Sequence, residues 1–108
     1  GLGDVYKRQV LKQLGVKDMG RVLIVNLKPS GHVTKHNDQG TYADHYSRFH
    51  IVLRSNQHCS QTCGTQSQRF EVGDVWWFNH KEFHTAHNVG DSDRIHIIFD
   101  CVTTAELQ

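Results

Sequence analysis

From Arg21 onward, short apolar or alternating runs are separated by clusters of Gly, Asn, Asp and Ser, the texture of strands joined by turns. The runs Val22–Leu27, Arg48–Leu53, Gln68–Val72, Val75–Asn79 and Arg94–Cys101 predict the main strands, and shorter ones are expected near Val33–Lys35, Gln57–Gln61 and Thr85–Asn88. Regular spacing of many short strands, with no long helical period between them, argues for an all-β sandwich or barrel rather than a parallel α/β sheet. Before Arg21 the pattern changes. Val10, Leu11 and Leu14 share one face at helical spacing, with Gly15 and Gly20 flanking the exit, so residues 1–20 are expected to form a short, peripheral N-terminal helix ahead of a domain at 21–108. The chain opens on glycine rather than methionine, which suggests a fragment lacking an N-terminal part.

Two of the predicted strands echo each other. Arg48-Phe49-His50-Ile51-Val52-Leu53 is matched in type by Arg94-Ile95-His96-Ile97-Ile98-Phe99. On an extended strand residues i and i+2 share a face, so each segment presents an Arg and a His side by side and bulky apolar groups on the other side. Such a polar stripe can line a cavity or simply face solvent.

Composition narrows the class. In 108 residues, 37% hydrophobic and 21% charged, there is material for one globular domain with one core, and no apolar run is long enough to span a bilayer. The net charge is only +1 and the basic residues are scattered, so neither nucleic acid nor a membrane is expected as a partner. Three cysteines, Cys59, Cys63 and Cys101, cannot all pair within the chain, and no signal-peptide pattern precedes them, which fits a reducing cytoplasm. Cys59 and Cys63 read as a turn with two unpaired thiols, since half a zinc site lacks its second pair of ligands. The unusual count is nine histidines, for histidine is the commonest metal ligand and an acid or base near neutral pH.

His36-Asn37-Asp38 places an imidazole and a carboxylate two residues apart, able to point the same way from an extended segment. A third ligand from a distant strand would complete a two-histidine, one-carboxylate triad, leaving open positions on Fe(II) for a cosubstrate and dioxygen. H-x-D alone is a weak signal. More specific is the stretch Phe83-His84-Thr85-Ala86-His87-Asn88, which leads through a Gly-Asp-Ser-Asp turn to Arg94, bringing a histidine and an arginine into one region. A guanidinium suits a dicarboxylate because its planar fork makes two parallel charge-assisted hydrogen bonds.

In these pieces and their order, from about Arg21 to Cys101, the chain resembles the aspartyl/asparaginyl β-hydroxylase family of 2-oxoglutarate-dependent oxygenases. They are Arg21 to Leu27, the Pro29-Ser30-Gly31 turn before His36-Asn37-Asp38, Arg48-Phe49-His50, Gly73-Asp74-Val75-Trp76, and His84 to Asn88 followed by Arg94-Ile95-His96. The resemblance implies a double-stranded β-helix (a cupin-like jelly-roll). It implies hydroxylation of a C–H bond of an amino acid or an Asp/Asn-type peptide residue by dioxygen, with 2-oxoglutarate converted to succinate and CO2. It also implies that His36, Asp38 and His84 hold Fe(II), that Arg94 pairs with the distal carboxylate of 2-oxoglutarate, and that Arg48 and His50 contact the cosubstrate. Some animal members carry glycine at the third metal position, which leaves Asp38 open as a ligand. His87 rivals His84, but the family's ligand stands four residues before an asparagine, here Asn88, and the two histidines have opposite parity on a strand.

Other readings compete. A cupin-like metal protein or enzyme that does not use 2-oxoglutarate would share the histidines without needing Arg94. A zinc-binding or structural jelly-roll, or an oxygenase core lacking a covering segment, would share the fold. His32, His45, His58 and His80 fall in or beside predicted turns and are expected to be solvated, and Trp76 rather than Trp77 is expected in the core. The loops Gln39 to Tyr46 and Gln57 to Thr65 are the expected walls of a small-molecule or peptide substrate pocket.

Overall fold

Strand pairing organises the chain into two antiparallel sheets in a computed structural model that describes residues 6–104. The elements in order are β1 (Tyr6–Gln9), a 3-10 turn (Leu11–Gln13), β2 (Val16–Leu27), β3 (His32–His36), helix α1 (Thr41–His45), β4 (Ser47–Arg54), β5 (Cys59–Cys63), β6 (Gln66–Gln68), β7 (Val75–Phe78), β8 (His84–Asn88) and β9 (Arg94–Thr103). One sheet has the order β1-β7-β4-β9-β2 and the other β3-β8-β5-β6, the mostly-β architecture expected of a double-stranded β-helix.

Among the described residues the expected N-terminal helix is reduced to one 3-10 turn, Leu11–Gln13. Residues 6–9 pair with β7, Val10 leads into a single 3-10 turn, and β2 begins at Val16, five residues before the change of texture at Arg21. Sheet pairing overrides the weak helical spacing. Gly15, at φ +59°, supplies the left-handed residue that ends the turn, and Leu14 is 1% exposed, so the segment is not peripheral. The part of the helix expectation at residues 1–5 lies outside the described residues.

Most other strands fall where alternation puts them, with three corrections. The strand expected over Gln68–Val72 is confined to Gln66–Gln68, because Asp74 N–H bonds Glu71 C=O and Gly73 turns at φ +90°. Cys59 and Cys63 are the ends of a strand, not a turn, and both thiols are buried and unpaired. Trp77, not Trp76, is the core tryptophan: it is cross-strand partner to Phe49, whereas Trp76 turns to the other face, stacks on Phe70 and donates to Asp74. The Lys28–Gly31 turn forms as expected, closed by Gly31 N–H to Lys28 C=O with Ser30 at φ +67°.

The two faces of the five-stranded sheet differ in kind. Phe49, Trp77, Phe99 and Cys101 make an apolar layer on the face turned away from the second sheet, with Phe49 and Phe99 stacked 5.2 Å apart and Leu14 laid over them. Burying each large side chain there contributes about 1.5–3 kcal/mol. On the opposite, inward face the same strands carry Arg48, His50, Arg94 and His96. Strand alternation thus separates the stabilising layer from the interior cavity.

Candidate functional site

β3 and β8 run antiparallel with His36 and His84 as direct cross-strand partners, after a register irregularity that begins at Val33. Their rings stand 4.3 Å apart. Each imidazole is oriented in the same way: Nδ1 of His36 lies 2.7 Å from the carbonyl of Thr34, and Nδ1 of His84 lies 2.8 Å from that of Glu82. A proton on each Nδ1 satisfies these bonds and leaves the Nε2 lone pairs free, the arrangement that fixes a ligand's tautomer. Burial pushes the His84 imidazole below its ordinary range, and nearby His36 adds to this against the opposing Glu82 carbonyl, so the neutral, ligating form is favoured.

Asp38 reaches the pair from just beyond β3, its backbone N–H held by the carbonyl of His80 at 2.9 Å. Its Oδ1 is 3.7 Å from Nε2 of His36, and one ligand atom from each of His36, Asp38 and His84 lies within 4.8 Å of the others. Oδ2 of Asp38 is buried without a hydrogen-bond partner. Two imidazole nitrogens and a carboxylate oxygen form a donor set suited to Fe(II), and a buried carboxylate oxygen beside them, with no hydrogen bond and only the Arg48 guanidinium at 3.5 Å, fits a site for a cation.

Beside the triad is a cavity of about 190 Å³ between the sheets, lined by His36 and His84, by Arg94, Arg48 and His50, and by apolar walls that include Val25, Phe78, Ala86 and Ile98. Arg94 is 4% exposed and its Nε has no hydrogen-bond partner, and among the described residues no ion pair involving it is seen. Burial pushes its pKa down from the ordinary arginine value. A guanidinium stays charged in proteins, so a cation held in an apolar cavity without an acid is costly unless an anionic ligand supplies the partner.

His50 and His96 pack next to this arginine, their Nδ1 atoms 2.9 Å apart with one donating to the other. Burial pushes both pKa values down, His96 to about 3, and for each the neighbouring Arg94 adds to the lowering. Neutral imidazoles here offer hydrogen bonds without a second buried positive charge. Arg48 is different: it bonds Asp100 through Nε (2.7 Å) and Nη2 (2.9 Å), while Nη1 stands 3.5 Å from Asp38.

The structure therefore brings His36, His84, Arg94, Arg48 and His50 around one cavity, with Asp38 beside His36 and Arg48. His87 is exposed and pairs with His32 on the outside of the second sheet. His32, His45 and His58 are exposed as expected, but His80 is 7% exposed, with Nε2 bonded to the carbonyl of Ala43. Sequence reasoning missed Asp100, which is 2% exposed. Its signal was available: Arg94, His96, Ile98 and Asp100 have one parity on β9, and Asp100 is the register partner of Arg48. The residues Gln39 to Tyr46 form α1 and its flanks beside a second cavity, whereas Gln57 to Thr65 is mostly strand β5.

A two-histidine, one-carboxylate donor set at the mouth of a double-stranded β-helix is the site class of non-haem Fe(II) oxygenases. The chain belongs to the Aspartyl/Asparaginyl beta-hydroxylase family, whose model matches residues 6–104. It is also similar to L-proline cis-4-hydroxylase of Rhizobium meliloti (strain 1021), with 24% identity over 82 residues, 76% of this chain and 29% of that protein. Both the family and this relative are hydroxylases by name. The chain spans less than a third of the length of the relative. Among the described residues no helix is long and apolar enough to cross a membrane.

Proposed function

We propose that this chain is the catalytic core of an Fe(II)- and 2-oxoglutarate-dependent dioxygenase that hydroxylates a C–H bond of an amino acid or of an Asp/Asn-type peptide residue. His36, Asp38 and His84 hold the metal, Arg94 anchors the distal carboxylate of 2-oxoglutarate, and Arg48 and His50 contact the cosubstrate. The observation that carries this reading is a buried guanidinium with no acid partner among the described residues, in the same cavity as two histidines whose Nδ1 atoms face backbone carbonyls. L-Proline enters the candidate substrates through the similarity to L-proline cis-4-hydroxylase.

Bound Fe(II), with 2-oxoglutarate and dioxygen, supplies the oxidising power for the hydroxylation, and succinate and CO2 are the co-products. The chain's residues do the rest. His36 and His84 present Nε2 because their Nδ1 protons are engaged by backbone carbonyls, and Asp38 contributes a negative charge beside a cavity that carries Arg48 and Arg94. Arg94 fixes the far end of the cosubstrate with a fork that a lysine could not match. The apolar walls around Phe78, Ala86 and Ile98 exclude water and strengthen that ion pair.

Fe(II) and 2-oxoglutarate added without oxygen should give a visible metal-to-ligand charge-transfer band, lost in His84→Ala, and with oxygen the chain should release succinate. Metal binding with no band and no succinate would favour instead a cupin-like protein that does not use 2-oxoglutarate.

A further inference from the structure

Besides Asp38 Oδ2, the buried polar side-chain atoms without a hydrogen-bond partner among the described residues are Gln61 Oε1, Arg94 Nε and His96 Nε2, in residues each more than nine-tenths buried. Leaving such an atom unmet is costly, and native folds rarely do it. The three are not scattered. Arg94 and His96 stand two residues apart on β9, and Gln61 comes from β5 in the facing sheet, so their side chains enter the interior from opposite sides. All of them line one small cavity of about 10 Å³, room for a single water molecule.

Water matches these atoms in number and in kind. Arg94 Nε–H is a donor and Gln61 Oε1 an acceptor, so a molecule between them must accept from one and donate to the other. A water that accepts from a guanidinium turns its hydrogens away from the cation, and its second hydrogen then meets a lone pair on His96 Nε2. His96 therefore carries its proton on Nδ1, the atom 2.9 Å from His50 Nδ1, and donates it there. His50 accepts at Nδ1 and keeps its own proton on Nε2. Both rings are neutral, as their lowered pKa values beside Arg94 require.

We infer that one buried water, held by Arg94, Gln61 and His96, sets the tautomers of the His96–His50 pair so that His50 offers an N–H, not a lone pair, to an anion in the 190 Å³ cavity that it lines. Gln61 and His96 are then positioning residues, acting through the water and through His50. The water meets the Nε–H of Arg94 without neutralising its charge, which leaves the terminal nitrogens of the fork for a carboxylate. This rests on the 2-oxoglutarate reading for the identity of the anion, whereas the relay itself lies wholly within the protein and its water.

The test reads the tautomers directly, by long-range proton–nitrogen NMR correlation on the full nitrogen-labelled chain with diamagnetic Zn(II) in place of Fe(II). His96 should be protonated on Nδ1 and His50 on Nε2, and a high-resolution crystal structure should place a water within hydrogen-bond reach of Arg94 Nε, Gln61 Oε1 and His96 Nε2. Gln61→Met keeps the volume and removes the acceptor. It should release the fixed tautomers into a mixture and raise the 2-oxoglutarate concentration that half-fills the charge-transfer band by about tenfold, with iron affinity unchanged. His96→Leu is the second variant and should do the same to His50 and to the half-saturation. The opposite tautomers in the wild type, a dry cavity, or an unchanged half-saturation in both variants would each overturn the relay. A wild-type chain that shows the tautomers and the water but gives no band would overturn the oxygenase reading alone.

Discussion

Arg94 and Arg48 project from the inward face of the same sheet and meet opposite surroundings. Arg48 has a register partner, Asp100, and stands as a paired strut between two cavities. Arg94 lies opposite Leu27, among apolar walls, without a hydrogen-bond partner for its Nε. A protein stabilises itself with the first kind of arginine and has no structural reason to keep the second. On the proposed reading, the difference separates an arginine braced by the protein's own acid from one held for a ligand more sharply than burial does, since both residues line the same cavity. It also makes opposite forecasts for removing each charge.

The largest effect should come from the ion on which the Arg94 side of the comparison depends. Loss of an outer partner of a metal ligand already costs about tenfold to a hundredfold in affinity, so His84→Ala and Asp38→Ala should each weaken Fe(II) binding by more than about a hundredfold. Anaerobic metal titration measures this, and an Asp38→Ala chain with wild-type iron affinity would leave a two-histidine centre as the better description. Next is the arginine itself. Arg94→Met should raise the 2-oxoglutarate concentration needed for half-saturation by about a hundredfold, leave iron binding near wild type, and hold or raise the melting temperature, because it deletes an unpaired buried cation. An unchanged half-saturation would remove Arg94 from the cosubstrate.

Asp100→Ala should do the reverse to stability. Breaking a buried ion pair costs about 3–5 kcal/mol; here Arg48 keeps a fifth of its side chain exposed, so about 2–3 kcal/mol is expected from urea unfolding. Were Arg94→Met the more destabilising of the two, the division into strut and ligand anchor would be wrong.

This contrast shows what the sequence could and could not convey. The strand pattern was legible because β4 and β9 both open on an Arg-x-His stretch with apolar residues between and after, and the two-residue repeat of an extended strand put Arg48, His50, Arg94 and His96 on one face. The metal candidates were legible because two of them sit two residues apart and the third precedes Asn88, whose side chain ties β8 to Leu27 and Ser92. Register was not legible. Nothing local says that residue 48 meets residue 100 rather than 98 or 102, and without register the acid that distinguishes Arg48 from Arg94 stays hidden. The N-terminal strands were obscured for a similar reason: Leu14 at helical spacing from Val10 and Leu11 looks like a helix face until Phe49 and Phe99 provide the surface it covers.

The smallest expected effect concerns pH. Burial alone would push the Asp100 carboxyl up, but the hydrogen bonds from Arg48 and Tyr42, with the charges of Arg48 and Arg21, outweigh it and hold the pKa below its ordinary 3.8. A carboxylate whose folded-state pKa is depressed contributes stability that is complete above the unfolded value and lost as pH falls through the folded one. Wild-type stability should therefore decline below about pH 4 in part because this one acid is protonated, and Asp100→Asn should flatten that part of the profile. The amide keeps an acceptor for Arg48, so the variant should start less stable at pH 7 and close the gap with wild type in acid. Denaturant midpoints for both chains between neutral and acid pH measure it. Parallel profiles would mean that Arg48 and Asp100 are not an ionic pair in solution, and the contrast with Arg94 would then rest on the cavity alone.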